Sequence, residues 1–169
     1  MHPQQYGDFY AELNNGIHMP LLGLGVYDMY GLEAETAIHH ALEIGYRLID
    51  TATMYGNEVE VGNAIRQSNV PRGTLFVTTK VNDVDQGYDQ TLRAFEASQN
   101  MLNCGHIDLY LIHWPIKNKR LDTWRALERL YTEGQVRAIG VANCMIPFLD
   151  ELLPLAAIQP VVNQVEFSP

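Results

Sequence analysis

Short apolar runs alternate with amphipathic segments along most of this sequence. The run Leu48 to Asp50 is typical: it ends in an aspartate, a polar loop with Tyr55 follows, and a helix is predicted to begin at Glu58. Alternating strands and helices with short connections predict right-handed βαβ units around a parallel sheet. The alternation therefore limits the chain to an α/β fold.

The predicted elements start with a small hairpin, Tyr10 to Leu13 and Gly16 to Met19, around the turn signal Asn14-Asn15-Gly16. Six strands are then predicted: Leu21 to Tyr27, Leu48 to Asp50, Leu75 to Val81, Ile107 to Ile112, Val136 to Val141 and Val161 to Val165. Five helices are predicted between and beside them: Glu33 to Ile44, Glu58 to Gln67, Asp89 to Leu102, Asp122 to Thr132 and Pro147 to Leu153.

Two architectures fit this order, a doubly wound open sheet and a (β/α)8 TIM-type barrel. A barrel collects its chemistry at the C-terminal ends of many strands, whereas a doubly wound sheet collects it at one switch point. Ionisable or amide residues follow the second to the sixth predicted strand: Asp50, Lys80, His113, Asn143 and Gln164. This distribution favours the barrel.

The length of the chain sets a further expectation. Eight βα units need about 250 residues, and this sequence of 169 residues offers six strands. We therefore expect one domain, residues 1–169, with the fold of a barrel that is incomplete after its sixth strand. The first and sixth strands would have unpaired edges, through which two chains could associate; a strict monomer is the other outcome.

Composition excludes several classes of protein. Twenty acidic and eleven basic side chains give a net charge of −9, which argues against nucleic acid or an anionic membrane surface as a partner. No apolar run approaches the roughly 18 residues of a membrane helix, and the polar first ten residues do not resemble a secretory signal. Cys104 and Cys144 are too few for a disulfide framework, and Cys104-Gly-His106 is short of a metal site. We expect a cytoplasmic protein without a bound metal.

A tyrosine, a lysine and an aspartate near the ends of adjacent strands form a plausible acid catalyst. A tyrosine has a pKa of about 10, and a buried ammonium nearby would lower it. Tyr55 would be the acid, Lys80 would tune it, and Asp50 would hold Lys80. His113, after the next strand, could donate a hydrogen bond to an oxygen that gains charge as a carbonyl is reduced.

Each of these residues also has a purely structural interpretation. Asp50 could cap the following helix, although Asn57 is better placed to do so. A single lysine at a strand end is usually solvated, and a single histidine is more often structural than catalytic. Their occurrence together on consecutive strands is what favours catalysis.

These residues lie within segments that resemble the signature motifs of the aldo-keto reductases. The motifs are Asp50-Thr-Ala-x-x-Tyr55-x-Asn-Glu58, Thr78-Thr79-Lys80, Leu111-Ile112-His113-Trp114-Pro115 and Gly134-x-Val136-Arg137-x-Ile139-Gly140-Val141-x-Asn143. The resemblance runs from about Tyr10 to Pro169 and is closest to the bacterial branch that includes 2,5-diketo-gluconate and methylglyoxal reductases. It implies a (β/α)8 enzyme that reduces aldehydes and ketones with NADPH.

The resemblance also implies roles for individual residues. Tyr55 would protonate the carbonyl oxygen while hydride arrives from the nicotinamide, with Lys80 and Asp50 setting its acidity and His113 orienting the carbonyl. The residues implied to contact the cofactor are Gly25, Val26, Asp50, Asn143 and Gln164. Those implied to contact a small carbonyl substrate are Tyr27, His113 and Trp114.

Two departures from the family pattern bear on these roles. Ala142 stands where relatives commonly have a serine, so one hydrogen bond to the carboxamide, worth on the order of 1 kcal/mol, is expected to be missing. The family's stacking tyrosine and its basic phosphate-binding segment, after strands seven and eight, have no counterpart in this sequence. A non-catalytic binding or regulatory module, or an inactive fragment with the reductase fold, is therefore the alternative.

Overall fold

The computed structural model describes residues 9–167, so both ends of the predicted domain lie outside the described residues. An antiparallel hairpin, β1 Tyr10–Glu12 and β2 His18–Pro20, precedes the main sheet. The strands of that sheet are β3 Gly23–Gly25, β4 Leu48–Asp50, β5 Phe76–Val81, β6 Ile107–Ile112, β7 Val136–Ala142 and β8 Asn163–Gln164. The helices are α1 Gly31–Glu43, α2 Glu58–Gln67, α3 Tyr88–Leu102, α4 Arg120–Thr132 and α5 Ile146–Leu152.

The main sheet has six strands in the order β3-β4-β5-β6-β7-β8, and every neighbouring pair is parallel. Spatial order follows sequence order without the reversal that defines a doubly wound sheet. The predicted barrel-type fold and its N-terminal hairpin are thus confirmed. Among the described strands, β3 and β8 each pair with one neighbour, so the sheet is open between them.

The core has two layers, one on each face of the sheet. The larger layer packs the sheet against the helices and includes Ile49, Val77 and Leu127, all fully buried. The smaller layer lies on the concave face and consists of Leu48, Phe76, Leu109, Leu111, Ala138 and Ala142. Each fully buried leucine or isoleucine contributes about 1.5–3 kcal/mol.

The N-terminal hairpin covers one end of the concave face. Leu13, Ile17 and Met19 pack against the smaller core layer. Side-chain amides from the hairpin turn reach the rest of the fold: Asn14 donates to the carbonyl of Pro160 at 3.1 Å and Asn15 to that of Arg137 at 3.2 Å. The hairpin therefore closes the N-terminal end of the sheet and leaves the C-terminal end open.

The two edge strands are shorter than predicted. The first was predicted over Leu21 to Tyr27 but ends at Gly25, because the chain turns at Asp28, whose φ is +60°. Gly23 allows close packing, since a Cβ there would lie 2.2 Å from Leu48 Cδ2. The last strand, predicted over Val161 to Val165, is reduced to two residues that pair with β7 alone.

In residues 9–167, no helix has both the length and the hydropathy needed to cross a membrane.

Candidate active site

The C-terminal ends of five strands carry the predicted polar residues to one edge of the sheet. Asp50 ends β4, Lys80 is the residue before the last of β5, and His113 follows β6 directly. Asn143 follows β7 and Gln164 ends β8. Because neighbouring parallel strands end at the same edge, these side chains converge, as the sequence predicted.

A cavity of about 580 Å³ opens at this edge. It is lined by Tyr27, Met54, Tyr55, His113, Trp114, Asn143, Gln164, Val165 and Glu166. Six of these residues were predicted to belong to a site, whereas Met54, Val165 and Glu166 were not. The remaining predicted residues, Gly25, Val26, Asp50 and Lys80, lie behind this lining rather than in it.

Lys80 and Asp50 form a buried ion pair behind the cavity. Lys80 is 1% exposed, and its Nζ lies 2.7 Å from Asp50 Oδ2 and 2.9 Å from the carbonyl oxygen of Thr51. Burial lowers the pKa of the ammonium, and the Asp50 carboxylate offsets part of that shift. The carboxylate and the carbonyl compensate the ammonium for its lost hydration.

Tyr55 stands between this ion pair and the cavity. It ends a single turn of 3-10 helix, Thr53–Tyr55, which Gly56 closes with a φ of +68°. Its hydroxyl lies 3.5 Å from Lys80 Nζ, and the ammonium lies 5.0 Å from the ring centroid. The hydroxyl therefore connects the buried pair with the cavity.

The sequence prediction for the acidity of Tyr55 is wrong in sign for this structure. Burial is the main reason that the pKa of Tyr55 is raised above 10.0, and the Asp50 carboxylate adds to the effect. The Lys80 ammonium does not reverse this, because its charge is balanced by Asp50 at 2.7 Å. Tyr55 is thus held as a phenol at neutral pH, which is the form that donates a proton.

His113 is a neutral imidazole at neutral pH. Burial, followed by the nearby Lys80 ammonium, lowers its pKa to about 4. Its Nδ1 is buried without a hydrogen-bond partner among the described residues. A buried N–H without an acceptor costs about 1–3 kcal/mol, so the tautomer with its proton on Nε2 is favoured.

Aromatic rings form the walls around Tyr55. The rings of Tyr27 and His113 meet that of Tyr55 edge-on, with centroids 5.1 Å and 5.7 Å away. Trp114 stacks beside His113 at 6.4 Å and is 46% exposed. Aromatic rings and polar side-chain groups therefore share the cavity wall, a combination that small-molecule sites use to hold and orient a ligand.

Two amides in the cavity lining are positioned to meet a carboxamide. The Asn143 Nδ2 donates a hydrogen bond to the carbonyl of His113 at 3.0 Å, and the Gln164 Nε2 donates one to Asp50 Oδ1 at 3.2 Å. Their amide oxygens accept no hydrogen bond from residues 9–167. Gly25 pairs in register with Asp50, and a Cβ built on it would meet open space. The two free amide oxygens can accept hydrogen bonds from the carboxamide of a nicotinamide, and Gly25 leaves space for the ring beside them.

The sequence prediction for Asn57 needs correction. Asn57 precedes helix α2 but makes no side-chain capping hydrogen bond. Its fully buried amide instead contacts the carbonyls of Val26 and Met29. Glu58, read from the sequence as a helix start, is also buried, and its carboxyl accepts hydrogen bonds from Thr79 at 2.7 Å and Ser98 at 3.3 Å. Local sequence patterns could not reveal these partners.

No group of three or more His, Cys, Asp and Glu side chains within the described part of the chain has the arrangement of a metal site. The polar groups at the C-terminal edge of the sheet are the Lys80–Asp50 ion pair, the Tyr55 phenol, the His113 imidazole and the amides of Asn143 and Gln164.

Comparison with known proteins gives a consistent result. The sequence model of the Aldo/keto reductase family matches residues 23–169. Glyoxal reductase of Bacillus subtilis is 54% identical over 160 residues, which are 94% of this chain and 58% of that protein. The chain thus spans little more than half the length of the curated relatives that it matches.

Solved structures extend the likeness to three dimensions. An aldo/keto reductase from Brucella melitensis superposes with a TM-score of 0.90 and 46% identity, over 94% of this chain and 62% of that one. A Bombyx mori aldo-keto reductase solved in complex with NADP gives a TM-score of 0.87 and 34% identity, over 94% and 58% of the two chains. The chain belongs to the aldo/keto reductase family.

Proposed function

We propose that this chain reduces small aldehydes and ketones to alcohols with NADPH. The observation that carries the proposal is a protonated Tyr55, which lines the cavity beside a neutral His113 and has the Lys80–Asp50 ion pair behind it. This arrangement offers a proton donor and a hydrogen-bond donor next to each other. It contains no activated nucleophile among these four residues, which favours proton transfer over covalent catalysis.

NADPH, when bound, supplies the hydride. Asn143 Oδ1 and Gln164 Oε1 would accept hydrogen bonds from the carboxamide of its nicotinamide, and the open space over Gly25 would accept the ring. Asp50 and Val26 support the cofactor site through the backbone. The Val26 N–H donates to the carbonyl of Asp50 at 3.1 Å, and this hydrogen bond fixes the ends of β3 and β4 beside the site.

Tyr55 donates its proton to the carbonyl oxygen of the substrate. The phenolate that is left carries a negative charge 3.5 Å from Lys80 Nζ, and the ammonium stabilises it. Asp50 holds that ammonium at 2.7 Å. His113, as the Nε2–H tautomer, would donate a hydrogen bond to the same oxygen and orient it.

The substrate is proposed to be a small carbonyl compound such as glyoxal. The aromatic walls Tyr27 and Trp114 support this, and so does the relative named glyoxal reductase. We further propose that the chain forms a single domain and is located in the cytoplasm. It is proposed to be a monomer, and self-association through β3 and β8 is the alternative. The free thiols of Cys104 and Cys144 support that location.

The first experiment separates cofactor binding from turnover. Titration with NADPH, followed by cofactor fluorescence and melting temperature, should show saturable binding with a rise in melting temperature. NADPH oxidation with glyoxal is then compared between the chain and Tyr55→Phe. We expect turnover to fall by about 10²–10⁴-fold with NADPH affinity unchanged, because the phenylalanine keeps the ring and loses the proton.

Absence of NADPH binding would overturn the proposal, and so would turnover by Tyr55→Phe at the rate of the unsubstituted chain. Partner capture that persists in Tyr55→Phe and Lys80→Met, without turnover, would favour the non-catalytic alternative.

A further inference from the structure

We infer that Asn57 is a positioning residue, which fixes the loop that carries the cavity wall Tyr27. The kinetic part of this inference rests on the function proposed above, whereas its structural part does not. Asn57 is the residue immediately before α2, two residues after Tyr55, and it is fully buried.

The Asn57 amide has every hydrogen-bonding group engaged. Its Nδ2 donates to the carbonyl oxygens of Val26 at 2.7 Å and Met29 at 2.9 Å. Its Oδ1 accepts from Thr51 Oγ1 at 2.6 Å. A primary amide is the side-chain group that donates two hydrogen bonds and accepts one while uncharged. Aspartate would place a carboxylate against two carbonyl oxygens, and alanine would leave the Met29 carbonyl without a donor and the Val26 carbonyl with the Met29 N–H alone.

The loop from Val26 to Met29 depends on these two bonds. It turns through Asp28, whose φ of +60° lies in the left-handed region that costs a non-glycine residue about 1 kcal/mol. Within the loop, the Met29 N–H reaches the Val26 carbonyl at a long 3.3 Å. Asn57 therefore stabilises a strained turn by donating hydrogen bonds to the carbonyls at its first and last residues.

Tyr27 lies in this turn and cannot anchor itself. The residue is 69% exposed, so burial contributes little to its position. Its ring nevertheless meets that of Tyr55 edge-on at 5.1 Å and forms one wall of the cavity. The backbone that Asn57 holds is what places this ring relative to the proton donor.

The same amide is also linked to the catalytic lysine. Thr51, which donates to Asn57, offers its own carbonyl to Lys80 Nζ at 2.9 Å. Asn57 thus ties the substrate wall and the strand end beside the ammonium into one buried network, which explains why it makes no capping bond on its own helix.

Hydrogen–deuterium exchange tests the structural part without any ligand. In Asn57→Ala, the Met29 amide, which donates to the Val26 carbonyl, should exchange at least about tenfold faster than in the unsubstituted chain, while β5 and β6 exchange as before. Asn63→Ala is the matched control, because Asn63 is on the same helix and bonds Glu35 at 2.8 Å away from the cavity. Its loop should exchange normally.

Kinetics with NADPH and glyoxal tests the positioning role. The KM for glyoxal should rise by about tenfold in Asn57→Ala, while kcat falls by less than about threefold, because Tyr55, Lys80 and His113 are retained. A structural defect alone would lower the active fraction and leave KM unchanged. Thr51→Val, which removes the donor to Asn57 Oδ1 and keeps the amide, should show the same pattern more weakly.

Unchanged exchange of the Met29 amide in both Asn57→Ala and Thr51→Val would overturn the inference, as would exchange that rises equally throughout the sheet in Thr51→Val. A fall in kcat with KM unchanged would also overturn it. If Asn57→Ala does not fold, Thr51→Val decides. If the unsubstituted chain oxidises no NADPH, the proposed function fails, and the exchange measurements still decide the role of Asn57.

Discussion

Each end of the sheet contains an aspartate paired with cations, but the two ends use the pair differently. At the C-terminal end, Asp50 has one ion pair with Lys80, a hydrogen bond from Gln164, and a side chain that is 15% exposed. At the N-terminal end, Asp108 on β6 is fully buried and both oxygens are saturated. Its partners are Arg72 Nη2 at 2.7 Å, Arg137 Nη1 at 2.6 Å, His106 Nε2 at 3.2 Å and the Val77 N–H at 2.9 Å.

The difference separates stability from chemistry. The Asp108 cluster, which consists of Asp108, Arg72, Arg137 and His106, links β5, β6 and β7 at the end of the sheet that the hairpin covers. Its charged groups bind one another. Beside the Asp50 pair, Tyr55, Asn143 and Gln164 line an open cavity. In barrels of this type the C-terminal face carries the active site and the opposite face carries stability. Substitutions at the two ends should therefore affect different measurements.

The largest expected effect on stability comes from Asp108→Asn. Two guanidinium groups would lose their shared carboxylate, so the free energy of unfolding should fall by about 3–5 kcal/mol. Turnover per folded molecule should stay within about twofold of the unsubstituted chain, because the cluster lies at the far end of the sheet. Denaturant unfolding measures the first quantity, and the rate of NADPH oxidation with glyoxal measures the second.

The matched control is Asp122→Asn, at an exposed ion pair with Arg125 at 2.9 Å. It should lower the free energy of unfolding by less than about 1 kcal/mol. An equal loss in both variants would show that the Asp108 cluster does not have the stabilising role described above.

Lys80→Met should give the opposite pattern. Without the ammonium, the phenolate of Tyr55 is unsupported, and turnover should fall by about 10²–10³-fold. Stability should fall by less than about 2 kcal/mol, because burial already lowers the pKa of Lys80 and the charged form is costly where it lies. NADPH oxidation and denaturant unfolding check the two parts.

Lys117→Met, at an exposed lysine, should change neither quantity. If Lys80→Met costs more stability than Asp108→Asn, the contrast between the two ends is wrong.

The sequence predicted the interior of this fold better than its edges. Helix α2 and strand β6 have the bounds that were predicted, because a long amphipathic or apolar run determines its own extent. β3 and β8 are shorter than predicted. The length of an edge strand depends on how many residues pair with its single neighbouring strand, and the local sequence pattern does not show this pairing.

The candidate site divides in the same manner. Asp50, Lys80 and His113 could be predicted because each ends or follows an apolar run. The raised pKa of Tyr55 could not, because its sign depends on burial and on the distances to two opposite charges. The carbonyls that Asn57 contacts and the two arginines that pair with Asp108 lie about thirty residues away in the chain, so no local pattern contains them.

Acid titration should distinguish His113 from the other five histidines of the sequence. Its pKa in the folded chain is about 4, below the ordinary 6.5, so the unfolded chain takes up the proton first as the pH falls. The stability that neutral His113 contributes is complete above pH 6.5 and is lost as the pH falls to about 4.

His113→Gln should flatten the stability profile over this range by roughly 1–2 kcal/mol, allowing for screening from the open cavity. Denaturant unfolding of both proteins across the range measures it. Parallel profiles would contradict the low pKa of His113.

The smallest expected effect comes from Gln164→Ala, and it tests whether the cavity amides serve a ligand or only the fold. Gln164 is exposed and bonds Asp50 Oδ1 at 3.2 Å, so its removal should leave stability nearly unchanged. The loss of one hydrogen bond to the carboxamide, about 1 kcal/mol, should raise the Kd for NADPH about fivefold. Gln159→Ala is the control, because that amide bonds the carbonyls of Leu153 and Ala156 away from the cavity. A Kd that does not respond to Gln164→Ala would mean that the amide of Gln164 belongs to the Asp50 pair alone, and the two ends of the sheet would then differ less than their contacts indicate.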